Sequence, residues 1–244
     1  MYKIFSLIMA TLLLIPLSAC SLISNNSKND VEQHQKFSQH QLDKNDRVWN
    51  QKLKDAKIET TSYGASVQYS MIPTSIAELK QYNKTLVKGT VFNLQQMTGC
   101  KDEAYTKVSL FVDEVIRGNK SIQNTIISFN LNSGFIDHPK QSEYDYIKKT
   151  EVPMPAIGSQ LITGLSKRNI NQISDAKIKN FFQTNQVANF NSYSLNDPVN
   201  SLWIKNHGDS KFHLNNPLLN KRSKDDWYAN KLLKLTDKLN QIEN

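Results

Sequence analysis

The stretch HGDSKFH holds three side chains able to bind a metal or move a proton: His207, Asp209 and His213. Zinc sites take nitrogen, sulfur and oxygen donors, usually four of them. No HExxH and no cysteine ligand pattern accompanies these three, so they stand as weak metal candidates and no cofactor is expected. Asp137 and His138 form a second polar pair, just before a proline. A hydrolase built from these loops would need Asp137, His138, His207 and Asp209 within hydrogen-bond reach, about 3 Å. The chain carries no GxSxG, Walker or GxGxxG sequence. A small hydrolase or metal-dependent enzyme with a loop-built site is therefore the alternative reading, and a binding role is the leading one.

Cys20 offers a different chemistry. Residues 4–15, IFSLIMATLLLI, carry no charge, follow Lys3 and precede Pro16. That is the layout of a secretory signal peptide. The run is too short to cross a bilayer as a helix, which takes roughly 20 apolar residues. Leu17-Ser18-Ala19-Cys20 then resembles the lipobox of bacterial lipoproteins: a branched apolar residue, two small ones and a cysteine. The resemblance implies that a diacylglyceryl group is attached to the Cys20 thiol and that the chain is cut before it. Two acyl chains anchor a protein stably where one does not. The implied location is the extracytoplasmic face of the cell membrane. The Lys- and Asn-rich composition suggests a Gram-positive host, with the outer membrane as the site in a Gram-negative one. With Cys20 lipidated, Cys100 has no internal disulfide partner, and an inert half-buried thiol is its expected state.

Aromatic and basic residues supply the partner-binding candidates. Tyr144 and Tyr146 sit in a long polar loop; Phe181, Phe182, Phe190 and Tyr193 follow a strand that ends at Lys167 and Arg168. Rings stack on sugars or peptides and cations attract anions. Tyr144, Tyr146, Lys167, Arg168, Phe190 and Tyr193 are the residues named on this ground, with core and rim packing as the rings' other use. The formal net charge is +8, and residues 165–224 hold much of the excess. For an exported chain, the anionic partners within reach are lipid head groups, wall polymers or acidic proteins, not nucleic acid.

Local patterns name the elements that would carry these groups. Residues 20–46 are rich in Ser, Asn, Gln, Lys and Asp, and such composition does not repay the entropy of ordering. They read as a tether, roughly 25–30 Å in root-mean-square span. A short polar helix is expected over 44–57 and a capped one over 74–83, with Thr74 or Ser75 as cap and Glu78 completing a capping box. Strands follow at 84–94, with a bulge or bend at Gly89, then at 105–118, 124–134, near 156–166 and at 186–195. Tyr228, Leu232, Leu235, Leu239 and Ile242 recur at helical spacing, giving an amphipathic C-terminal helix capped by Ser223. That helix either packs on the sheet or binds a partner.

The segments SIAELKQYNKTLVKGTVFNL, TKVSLFVDEVIRGN, TIISF and MPAIGSQLITGLSK resemble a pattern in exported bacterial proteins whose domain is an OB-like barrel. The resemblance covers residues 74–168. It implies a mainly β fold: a small antiparallel OB-like Greek-key barrel with flanking helices. The chain departs from the pattern in having only Gly134 where a glycine pair is usual, and Ile162 and Thr163 where aromatics are usual. The expected organisation is a signal peptide at 1–19, a tether at 20–46, a β domain at 47–222 and the helix at 223–244.

Overall fold

Continuous apolar runs such as LITGL in residues 161–165 need cover on both faces of a sheet, because successive side chains point to opposite sides. The computed structural model, which describes residues 38–62, 72–100, 103–137, 145–220 and 226–243, supplies that cover. Its elements in order are α1 (Gln39–Lys54), β1 (Ile58–Thr61), α2 (Ile76–Tyr82), β2 (Thr85–Gln96), β3 (Ala104–Arg117), β4 (Ile126–Ile136) and β5 (Tyr146–Lys149). Then come β6 (Gln160–Lys167), α3 (Ala176–Thr184), β7 (Tyr193–Leu195), β8 (Leu202–Lys205), β9 (His213–Leu214), α4 (Pro217–Asn220) and α5 (Trp227–Glu243). Residues 34–244 form one compact unit.

The fold is mainly β, with five helices among the described residues, the last at the C-terminal end. The strands run β1-β5-β4-β3-β2-β6-β8-β9, and β7 pairs with β6 beside that path. β1 and β5 are parallel, whereas the other ladders are antiparallel, so the sheet is mixed. It curls into a half-barrel. β7 pairs with β6, and Ser192 just before it makes one parallel bridge to Ser128 of β4.

The bend expected at Gly89 is present. The β2–β3 register shifts between Lys88 and Gly89. A Cβ at Gly89 would stand 2.4 Å from the Phe111 carbonyl oxygen, so no larger residue fits the close backbone approach. On β3, Val108, Leu110 and Val112 are fully buried, as their alternation predicts.

Two hydrophobic clusters use alternate residues of the same strands. Val87 and Val91 of β2, Leu161 and Leu165 of β6, and Leu202 and Ile204 of β8 join one, with Leu42 and Trp49 of α1. Leu86, Ile162 and Trp203 point the other way into a second cluster, covered by Leu79 of α2 and by Tyr228, Leu232, Leu235 and Leu239 of α5. The C-terminal helix is thus a packed layer of this unit. The Trp203 indole N–H donates to Thr236 Oγ1 at 2.8 Å, and Asn240 Oδ1 accepts from the Phe212 backbone N–H at 2.7 Å.

Two boundaries differ from the sequence reading. α1 begins at Gln39, capped by Ser38, so residues 39–46 are helix and not tether; Leu42 buries its side chain there, and the polar remainder faces solvent. The helix after Thr74 does form a capping box: Glu78 N–H donates to Ser75 Oγ at 3.1 Å, and Glu78 Oε2 accepts from Thr74 N–H at 2.7 Å. Those bonds hold the Glu78 carboxyl below its usual pKa. α5 is capped by Asp226, whose Oδ1 accepts from the N–H groups of Tyr228 and Ala229, while the expected cap Ser223 lies outside the described residues. The signal peptide, Cys20 and most of the tether also lie outside them. No described helix is long and apolar enough to cross a membrane.

Candidate functional site

α3 starts at Asp175, whose carboxylate accepts from the N–H groups of Lys177 and Ile178 at 2.7 and 3.2 Å. Ile178, Phe181 and Phe182 then fall at i, i+3 and i+4, which places them on one face. None of the nine residues is buried. The apolar face instead forms one wall of an open cleft of about 870 Å³.

The β2–β3 connection adds Gly99, Cys100 and Glu103 to the lining, and β3 adds Tyr105. The Tyr105 and Phe181 rings are in contact, with centroids 5.2 Å apart. Asn130 and Asn132 of β4 and Ser194 of β7 add polar groups. A cleft of this size, mixing rings with a few polar groups, has the usual makeup of a ligand site.

Arg168, just past the end of β6, holds the centre. One of its terminal nitrogens, Nη2, donates to Asn130 Oδ1 at 2.5 Å and to the Tyr193 carbonyl at 3.1 Å. Its guanidinium carbon sits 4.0 Å from the Phe182 ring centroid. Nε is buried without a hydrogen-bond partner. Among the described residues no carboxylate pairs with Arg168, and burial pushes its pKa below the ordinary value. Arginine stays charged at neutral pH even so. The cation is therefore half-desolvated, oriented by neutral groups, and unneutralised.

Lys177 also lines the cleft, and no ion pair neutralises it among the described residues. Glu103 is the acid on the lining; it accepts from the Tyr105 hydroxyl at 2.5 Å. Cys100 is a free thiol beside it. Burial first, and then the Glu103 charge, push its pKa up, so it remains the weakly nucleophilic thiol at neutral pH.

Of the binding candidates among the described residues, Arg168, Phe181 and Phe182 line the cleft, whereas Tyr146, Lys167, Phe190 and Tyr193 do not. Tyr146 is a core residue, 4% exposed, packed edge-on against Trp49 and Phe135 at 6.4 and 5.1 Å. Burial raises its pKa to about 12. Tyr193 is buried as well, and the exposed Lys167 lays its ammonium 4.9 Å from that ring. Phe190 is 78% exposed, in the turn before β7 and off the cleft lining. Tyr144 lies outside the described residues.

The polar loop candidates are dispersed. Asp209 accepts from its neighbour Asn206, N–H at 2.9 Å and Nδ2 at 3.1 Å, which serves to close the β8–β9 turn. His213 Nδ1 is 3.8 Å from Asp209 Oδ2, and His207 is exposed. Asp137 accepts from the Gly99 N–H at the other end of the sheet order, with β3, β2 and β6 between β4 and β8. His138 is outside the described residues. Among those residues no three His, Cys, Asp or Glu side chains gather as a metal-holding group.

Tyr105, Asn130 and Asn132 were not marked as site residues by the sequence, and Lys177 figured there only as one of the basic residues of 165–224. Three of these are single polar or aromatic residues on strands, which topology alone assembles. The signal that was present is the 178-181-182 spacing, a one-faced helix in a segment read as loop. Comparison with known proteins found no matching family model, no matching curated protein and no matching solved structure.

Proposed function

We propose that the protein is an exported, lipid-anchored binding protein whose OB-like barrel holds an envelope ligand in the cleft between the β2–β3 connection and α3. Cys20 carries the diacylglyceryl anchor, on the strength of the LSAC sequence and the apolar run before it. The anchored chain works on the extracytoplasmic face of the membrane.

The observation that carries the binding role is the position of the cleft in the strand order. β2, β3, β4, β6 and β7 are five strands in which β6-β2-β3-β4 are neighbours, and β7 pairs with β6 while Ser192 just before it bridges to β4. The OB-fold is a five-stranded, partly open Greek-key barrel. Its ligands lie on the face of its second and third strands, between the loop joining strands 1 and 2 and the loop joining strands 4 and 5. In the same count those features are β3 and β4, the Gly99–Glu103 connection and the segment carrying α3. The cleft is lined by residues of all four. The separation of Asp137 from the Asp209–His213 pair by three strands favours binding over hydrolysis at those loops.

The test is retention of purified envelope polymers by the full chain in detergent, compared with an Ile178→Trp variant that fills the cleft from an exposed helix position. Binding that is lost in the variant supports the reading. Binding that is undiminished in it puts the ligand elsewhere on the molecule.

A further inference from the structure

Resting on the proposed cleft, we infer that its ligand is an acidic saccharide, held by a carboxylate or phosphate at Arg168 and Lys177 while a sugar ring lies on Tyr105 and Phe181. The cation is the first argument. Taking a guanidinium out of water is costly unless an opposite charge or several acceptors compensate it. Arg168 has two acceptors, both on Nη2, and none at Nε or Nη1 among the described residues. Nη1 therefore keeps its donors for a group arriving in the cleft. A guanidinium N–H donating to a carboxylate or phosphate oxygen makes a charge-assisted bond, about twice as strong as a neutral one.

The Arg168 guanidinium is already held in place. Phe182 packs under the guanidinium at 4.0 Å and Asn130 fixes its edge, so little side-chain entropy is lost when an anion docks. Lys177 adds a second positive charge to the same lining. Glu103, bonded to Tyr105, also lines the cleft and would repel an anion placed beside it.

The saccharide part follows from what surrounds the cations. Tyr105 and Phe181 present ring surface, and Asn132 and Ser194 present amide and hydroxyl groups of the kind that bind sugar hydroxyls. The cleft is open, which suits an internal segment of a chain rather than an enclosed small molecule.

The experiment measures equilibrium binding of three probes to the full chain in detergent at low salt. They are tetragalacturonate, a phosphorylated maltotetraose and unmodified maltotetraose. At least one acidic probe is expected to bind about tenfold or more tighter than the neutral one, the scale of one charge-assisted contact. Whichever acid is preferred identifies the source as carboxylate or phosphate. Lys177→Gln, an exposed change with no side-chain bond to break, should remove a large part of that preference, and added salt should erode it. Arg168→Lys should weaken binding despite keeping the charge, because an ammonium lacks the planar group that Phe182 and Asn130 hold in place. Equal binding of all three probes, with loss in Ile178→Trp, overturns the acidic assignment and leaves the cleft standing. Binding of none of them overturns the saccharide assignment. An acidic preference unchanged in both Lys177→Gln and Ile178→Trp would remove the cleft itself as the site.

Discussion

The Arg168 guanidinium lies over the Phe182 ring, its central carbon 4.0 Å from the ring centroid. This contact joins the end of β6 to α3, a helix that buries none of its residues. A cation over an aromatic face is worth about 0.5–2 kcal/mol, more as water is excluded. Phe182→Ala should therefore lower stability to urea by about that amount and let the guanidinium move. Phe182→Leu keeps the apolar bulk and should recover part of the packing but not the charge–ring term. Urea midpoints of the two variants decide this; an unchanged midpoint in Phe182→Ala would mean the stack is incidental.

How much of this was legible in the sequence depended on whether the cause was local. The β3 pattern, the cap at Ser75 and Glu78 and the α5 stripe as far as Leu239 depend on neighbours within a few residues, and each was readable, although Ile242 at the end of that stripe is exposed. Tyr146 was not. It stands in polar surroundings, and its burial comes from Trp49 and Phe135, far away in sequence, and from pairing with the short parallel strand at Ile58–Thr61. Residues 39–46 were misread for a related reason: composition predicts a polar tether, but a buried Leu42 and the Asn45 amide donating to the Phe92 carbonyl at 2.9 Å fix them as helix. Arg168 was named for its charge alone; its lack of a carboxylate partner is a property of the folded chain.

Gly164 of β6 faces Asn83 so closely that a Cβ there would stand 1.7 Å from Asn83 Oδ1. Asn83 is buried, donating from Nδ2 to the Leu79 carbonyl at 2.9 Å and accepting from Asn196 Nδ2 at 3.0 Å. Gly164→Ala must displace this amide, breaking bonds that close the end of α2. A loss of about 2–4 kcal/mol is expected. Combined with Asn83→Ala the effects should be clearly less than additive, since both act on one contact. Additive losses in chemical denaturation would show that the two sites are independent.

Thr236 links α5 to the sheet. Its hydroxyl accepts the Trp203 indole N–H at 2.8 Å and donates to the Leu232 carbonyl at 2.8 Å, all buried. Thr236→Val keeps the volume and strands the indole donor, which should cost about 1–3 kcal/mol. Removing residues 223–244 altogether uncovers the cluster around Trp203 and should abolish cooperative folding. A truncated chain that still unfolds in one sharp transition, followed by near-ultraviolet circular dichroism, would contradict the packed role of α5 and return it to partner recognition.

Cys20→Ala removes the thiol that the lipobox resemblance marks for acylation. The variant is expected in the soluble fraction of cells, with the wild-type chain in membranes and released from them only by detergent. Metabolic labelling with a fatty acid should mark the wild type alone. Retention of Cys20→Ala in membranes would mean that something other than this cysteine anchors the chain.

Tyr146 sets an alkaline limit on stability. Burial raises its pKa to about 12, against 10.0 for an ordinary tyrosine. Above pH 10 the unfolded chain releases this proton while the folded one keeps it, so unfolding becomes progressively easier. The stabilisation is complete below pH 10 and is lost as the pH rises to about 12. Each pH unit across that window costs about 1.4 kcal/mol, or roughly 2–3 kcal/mol in all. Tyr146→Phe carries no ionisable hydroxyl and should flatten this part of the profile while leaving the ring packed between Trp49 and Phe135. Urea unfolding of both chains at a series of alkaline pH values measures the difference directly. Parallel profiles for the two would place the alkaline loss on other groups.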